Sequence, residues 1–278
     1  MIVLLLAGRK ILYTPVVIKI SSYKNYIIKF SFNKILILVS LGCCILSCSK
    51  EGDSASASAP MSVSKAGSLS KFAIVGNYLY AVDNNNLYSY NITDPVHPVM
   101  THTTPLSFIV ETIYPYNNRL FIGTTAGMFI YSIEDPSAPS KLGEASHVRS
   151  CDPVVANDSI AFVTLKGSTR CGPAESGLYI HSIKNVLQPV LIKKYLMNDP
   201  EGLGLSGSIL YVCCNNNGLK VINVADPANP VEIRTVTGAY FKDVIPYGDL
   251  LICYVSTGIL LYDISNPTNP SLVKLIAN

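Results

Sequence analysis

Tryptophan is missing from this sequence, and only 14% of its 278 residues are charged. With 49% hydrophobic residues, that scarcity excludes a disordered chain for most of its length and leaves apolar surface for a substantial core. Clustered base is also lacking. Six of the 21 basic residues (Arg9, Lys10, Lys19, Lys24, Lys29 and Lys34) precede Cys48 in a stretch without acid, so 15 remain against 18 acidic residues, a net of −3. That balance gives no reason to expect a nucleic-acid partner, which needs Lys and Arg gathered to displace counterions. The four histidines (His97, His102, His147 and His181) are scattered, and no short-spaced His and Cys pairs suggest a zinc site. Nor is there a glycine-rich phosphate loop leading into a Lys and a helix, or a His paired with a plausible base. The segment Gly204 to Ser208 lacks the closing glycine of a nucleophile elbow.

What is present in quantity is tyrosine, 17 residues of it, which with Val and Ile suits pleated, half-buried surfaces. The turn DPVHP (Asp94 to Pro98) and the strand before it recur in altered form as DPSAP (Asp135 to Pro139), NVLQP (Asn185 to Pro189), DPANP (Asp226 to Pro230) and NPTNP (Asn266 to Pro270). Six-residue apolar stretches precede them: LYSYNI from Leu87, MFIYSI from Met128, LYIHSI from Leu178, LKVINV from Leu219 and ILLYDI from Ile259. The closing prolines are 41, 50, 41 and 40 residues apart, and each unit reads as four short strands. Four strands per unit of roughly forty residues is the period of a propeller blade. Within the six-residue stretch only the fifth position is regularly polar (Asn91, Ser132, Ser182, Asn223, Asp263), so both faces of the strand need cover. The sequence therefore predicts an all-β, five-bladed propeller of four-stranded antiparallel blades over residues 68–278, with units at about 68–106, 107–147, 148–197, 198–238 and 239–278. In the Pro-rich turns Asp or Asn accepts backbone hydrogen bonds while Pro fixes φ and ends the ladder.

Residues Ile35 to Cys48 form the run ILILVSLGCCILSC, preceded by lysines and followed by SKEGDSASASAP. Fourteen residues are short for a hydrocarbon core of roughly 30 Å, and the flanks fit a secretory signal. The order Ile45, Leu46, Ser47, Cys48 resembles the lipobox of bacterial lipoproteins, which implies lipid attachment at Cys48 and removal of residues 1–48. An ordinary cleaved signal and a membrane anchor are the alternatives. The 34 residues ahead of the apolar run are long for a signal, as if the true start lay downstream. Residues 49–67, rich in Ser and Ala, read as a flexible tether. Glu51 and Asp53 resemble the export signal of surface lipoproteins in Bacteroidetes. The expected location is the cell envelope, anchored to the outer membrane through the lipid, on its periplasmic or outer side.

The segments SLSKFAIVGNYLYAVD (Ser68 to Asp83), HVRSCDPVV (His147 to Val155), AFVTLKGSTRCG (Ala161 to Gly172) and GLKVINVADPANP (Gly218 to Pro230) resemble the LVIVD-repeat proteins, a propeller-like family of anchored or exported Bacteroidetes proteins. The resemblance spans roughly residues 68–278. It implies fold and address and carries no catalytic residue over to this chain.

Five cysteines follow Cys48. Cys151 opens the third unit, and Cys171 lies in the insertion KGSTRCGPAESG that lengthens it. In an exported domain a disulfide between them would pin the long loop, for about 3 kcal/mol. Cys213 and Cys253 hold matching places in consecutive blades, too far apart to bridge, and read with Cys214 as buried thiols. Aligning the units brings Glu111, Asp152, Glu201 and Asp243 to one equivalent point at the start of the innermost strand, around one mouth of the channel. Each carboxylate there either accepts hydrogen bonds from an inter-blade loop or shares a cation or a polyhydroxylated ligand. No cofactor is otherwise implied beyond that possible divalent cation. Tyr116, Tyr240 and Tyr247, near loop ends, are candidates to stack on a glycan or a protein partner. The expected function is a binding scaffold; a hydrolase or lyase using a cation at the acidic mouth and a structural subunit of a surface complex are the alternatives.

Overall fold

The computed structural model describes residues 66–146, 153–167 and 175–277. Cys48 with its leader, residues 49–65 of the tether, Asp152, Cys151 and Cys171 all lie outside the described residues.

Five antiparallel sheets of four strands follow one another around a common axis as a five-bladed β-propeller, and no helix occurs among the described residues. Blade 1 holds β1 (Phe72–Val75), β2 (Tyr78–Val82), β3 (Asn86–Asn91) and β4 (Val99–Pro105). Blade 2 holds β5 (Val110–Tyr116), β6 (Arg119–Thr124), β7 (Gly127–Ser132) and β8 (Ser140–Ser146). In blade 3 they are β9 (Val154–Ala156), β10 (Ile160–Leu165), β11 (Gly177–Ser182) and β12 (Val190–Leu196), and in blade 4 β13 (Leu203–Ser206), β14 (Ile209–Cys213), β15 (Leu219–Asn223) and β16 (Val231–Val236). Blade 5 closes the series with β17 (Phe241–Tyr247), β18 (Leu250–Val255), β19 (Gly258–Asp263) and β20 (Ser271–Ala277).

The repeated residues explain the repeated geometry. The apolar sixth residue of each stretch (Ile92, Ile133, Ile183, Val224, Ile264) lies one step beyond the third strand, where its N–H donates to the hairpin carbonyl of Asn77, Asn118, Ser159, Ser208 or Asp249 at 2.8–2.9 Å. The polar fifth residue caps the exit: Asn91, Asn223 and Asp263 accept the N–H two residues on through Oδ1, and Ser132 does so through Oγ. Asp94, Asp135, Asn185, Asp226 and Asn266 then accept an N–H two residues on through Oδ1 and another three residues on through their carbonyl, forming the same turn five times. In all five blades the register between the third and fourth strands shifts once, near the middle of the pairing. Such a bulge adds twist and bends the outer strand.

Core packing lies between blades rather than within them. One apolar cluster joins blades 1 and 2, a second blades 2 and 3, a third blades 3 and 4, and a fourth blades 4 and 5. Tyr80 and Tyr211, buried in the second strands of blades 1 and 4, donate their hydroxyls to the carbonyls of Pro136 and Pro267 in the next blade's turn, at 2.9 and 2.7 Å. No such cluster joins blade 5 to blade 1 among the described residues. Those two meet at the hub instead, where the segment leading into β1 wedges between β13 and β17.

Candidate functional site

Three of the four aligned acids fall within the described residues; Glu201 and Asp243 are held by hydrogen bonds, and Glu111 lies in the field of a lysine. Glu201, just ahead of β13, accepts from Lys166 Nζ of blade 3 at 2.8 Å, and its carbonyl accepts from Thr164 Oγ1 at 2.6 Å. Burial draws the Lys166 ammonium down, but the bond and charge of Glu201 outweigh it and leave its pKa raised. Glu111, in β5, lies in the field of Lys71, whose Nζ donates to the Val110 carbonyl at 2.6 Å. Burial lowers the Lys71 pKa, and Glu111 and Asp83 offset part of that. Asp243, in β17, takes hydrogen bonds on Oδ1 from Ser68 Oγ at 3.0 Å and from the Val244 N–H at 2.9 Å. Ser68 Oγ in turn accepts the Leu203 N–H at 2.8 Å, so one serine ties blade 4, blade 5 and the entry to blade 1. Burial pushes the Asp243 carboxyl up to about 6 against those donors. A Cβ on Gly202 would stand 2.7 Å from the Asp243 Cα, and one on Gly67 would stand 3.2 Å from its Cγ, which is how closely the chain wraps this carboxylate.

Glu201 and Asp243 thus tie successive blades together at the axis. Among the described residues no three His, Cys, Asp or Glu side chains lie close enough to hold a common ion. Cys213, Cys214 and Cys253 are free, fully buried thiols. Burial raises all three pKa values, that of Cys214 to about 12, so none is a thiolate at neutral pH.

The cavity lies toward the other end of the channel, where the first strands finish. A space of about 410 Å³ is lined by Tyr114, Pro115 and Tyr116 of blade 2, Val155 and Ala156 of blade 3, Leu203, Gly204 and Leu205 of blade 4, and Val244 to Pro246 of blade 5, with Asn117 and Asn157 at the rim. Pro115 and Pro246, each in a first strand, place apolar rings on that wall. Burial, then the neighbouring Tyr116, pushes the Tyr114 hydroxyl up to about 12, so it stays a donor at all physiological pH. Tyr116 is raised by burial and by Asp158. Asn117 adopts a left-handed φ of 49° and donates from Nδ2 to Asp158 Oδ1 at 2.9 Å, which fixes the rim. Chemically this is an apolar tube with aromatic walls, two phenols and amides at its edge, suited to a small hydroxylated ligand.

Of the three tyrosines singled out in the sequence, Tyr116 lines the cavity and Tyr247 stands 64% exposed at the end of β17, near the same mouth. Tyr240 lies elsewhere, ahead of β17 and in the field of Lys166. Tyr114, Asn117 and Asn157 were missed. Their signal was position: each sits at the end of a first strand or in the hairpin after it.

Three segments, residues 66–104, 200–238 and 247–277, match the model of the LVIVD repeat. No curated protein matches. Among solved structures, the computationally designed Ika8 protein superposes with a TM-score of 0.54 at 12% identity, over 73% of this chain and 59% of that one. A functionally unknown protein from Desulfotomaculum acetoxidans gives 0.54 at 11% identity, over 73% and 66%. AztD of Citrobacter koseri gives 0.51 at 13% identity, over 78% and 62%. At such identities these share the fold alone, and this chain spans about three fifths of the length of the solved chains. With the repeat matched in blades 1, 4 and 5 of a ring whose turns and caps recur in all five, this chain carries LVIVD repeats.

Proposed function

We propose that this protein is a lipid-anchored, exported binding scaffold that takes a small hydroxylated ligand, such as the end of a glycan, into the tyrosine-lined mouth of its channel. The observation that carries this reading is the cavity itself, with Tyr114 and Tyr116 offering ring faces and hydroxyls beside Asn117 and Asn157. Sugars are recognised by that combination of an aromatic platform and neutral hydrogen-bonding groups. The carboxylates at the opposite mouth support a structural role instead, since Lys166 holds Glu201 and Ser68 holds Asp243. Anchoring rests on the leader and its Cys48, and export to the envelope follows from it.

The absence of tryptophan makes the test direct, because ultraviolet emission comes from tyrosine alone. Titration with a panel of monosaccharides and short glycans is expected to change that emission saturably for at least one of them, and Tyr116→Ala is expected to abolish the change while leaving the fold intact. Failure of the whole panel, or binding that survives in Tyr116→Ala, contradicts the assignment. Labelling with a radioactive fatty acid tests the anchor separately: the label is expected on the wild type and lost in Cys48→Ser.

A further inference from the structure

We propose that a cleft between blades 3 and 4 extends the cavity into a second subsite, which binds an acidic group, carboxylate or sulfate, on the sugar unit next to the one the cavity holds. This rests on the reading of the cavity as a sugar site and makes the glycan an acidic one. The cleft is a space of about 440 Å³ at the end of the ring where the cavity opens. Asn157 and Gly207 line both spaces, so a chain leaving the cavity between the hairpins of blades 3 and 4 enters the cleft directly. Ile160, Ile192 and Val224 give it an apolar floor. Its rim carries the hydroxyls of Ser159, Ser182 and Ser208 and the ammonium of Lys184.

The repeat shows what sets this cleft apart. In blades 1, 2, 4 and 5 the polar residue at the exit of the third strand accepts the N–H two residues on, but the Ser182 hydroxyl of blade 3 makes no such bond and is left to the cleft. Two residues further along, the five blades carry Thr93, Glu134, Lys184, Ala225 and Ser265. The one cation at this place therefore shares its cleft with the smallest of the five side chains, which leaves room beside it. Lys166, Lys194 and Lys220 of the same two blades each lie against a carboxylate, and Lys184 does not. The acids that adjoin the rim in sequence are already engaged. Asp158 accepts from Asn117 Nδ2 at 2.9 Å, and Asp226 accepts from the Ala228 N–H at 3.0 Å and from Asn229 Nδ2 at 2.8 Å. The Lys184 ammonium is thus open to an anion on the ligand, and the hydroxyls around it match the remaining groups of a sugar.

Calorimetric titration of the detergent-solubilised full chain tests this with N-acetylglucosamine, neutral chitotetraose, and tetrasaccharides of hyaluronan and of chondroitin sulfate, which supply carboxylate alone and carboxylate with sulfate. At least one acidic tetrasaccharide is expected to bind about fivefold tighter than chitotetraose, the scale of one exposed ion pair, and to lose that gain at high salt. Lys184→Gln is expected to bind the acidic and neutral chains alike, Lys184→Glu to prefer chitotetraose, and both to bind N-acetylglucosamine as the wild type does. Ala225→Tyr, at an exposed position, fills the cleft and is expected to reduce every tetrasaccharide to the affinity of the monosaccharide. Circular dichroism spectra of the three variants are expected to match the wild type. Acidic chains that bind no tighter than chitotetraose, or a preference for them that survives in Lys184→Gln, overturn the acidic subsite and leave the sugar reading of the cavity standing. Failure of all four sugars also overturns it, and the wider monosaccharide panel then decides the cavity separately.

Discussion

Asp243 is the side chain with most at stake in the hub. Its folded pKa of about 6, against an ordinary 3.8, means that the native state holds a proton the unfolded chain has already released. The resulting stabilisation is complete below about pH 3.8 and is lost as pH rises through 6, up to about 3 kcal/mol in all. Asp94, Asp135, Asp226 and Asp263 act in the opposite sense. Their turn hydrogen bonds depress their pKa values, and what they add is lost as pH falls through those lowered values. Stability is therefore expected to peak near pH 4 and to fall from there to about pH 6. Urea midpoints at pH 5 and pH 7 should differ in the wild type and converge in Asp243→Asn; an unchanged difference would remove Asp243 from the account. Tyr211 makes a smaller, separable contribution. Tyr211→Phe is expected to lower unfolding free energy by about 1 kcal/mol, the net worth of one hydrogen bond, since Phe121 and Phe162 fill the same place in blades 2 and 3.

The strands and turns were the most legible part of the sequence, because each blade repeats the same local solutions. A polar residue followed by an apolar one, then Asp or Asn before Pro, specifies a capped exit, an anchored side chain and a turn. The close approach of blade 4 to blade 5 was not legible, since Gly202 and Gly204 look like loop glycines until β17 lies against them. A Cβ on Gly204 would stand 2.6 Å from Pro246 Cδ and 2.9 Å from the Val244 carbonyl. Gly202→Ala, facing backbone at 2.7 Å, is expected to cost more than about 3 kcal/mol. Gly207→Ala, at a hairpin φ of 58° with nothing within 4 Å, should cost only about 1 kcal/mol. Thermal unfolding of the two variants checks this, and equal shifts would mean that blades 4 and 5 are not so tightly apposed.

The ring as a whole was legible from its period, and the uneven packing around it was not. Blade 5 carries LLICYV and ILLYDI, as apolar as the buried stretches of blade 2, so composition alone gives no sign that one of its faces lacks a neighbour. The site was half legible for a similar reason. Alignment brought Glu111, Glu201 and Asp243 to the start of the first strands, but only the fold shows that Lys166 and Ser68 engage the last two and that the cavity opens toward the other end. The central claim is a radial stack in which four interfaces are packed and the fifth is tied only at the hub. Hydrogen exchange followed strand by strand tests it most directly. Strands β6, β10 and β14 are predicted to exchange together and only through global unfolding, with β2 and β18 opening earlier. Equal protection of β2, β18 and β10 would show a fifth interface packed like the others and would contradict the account.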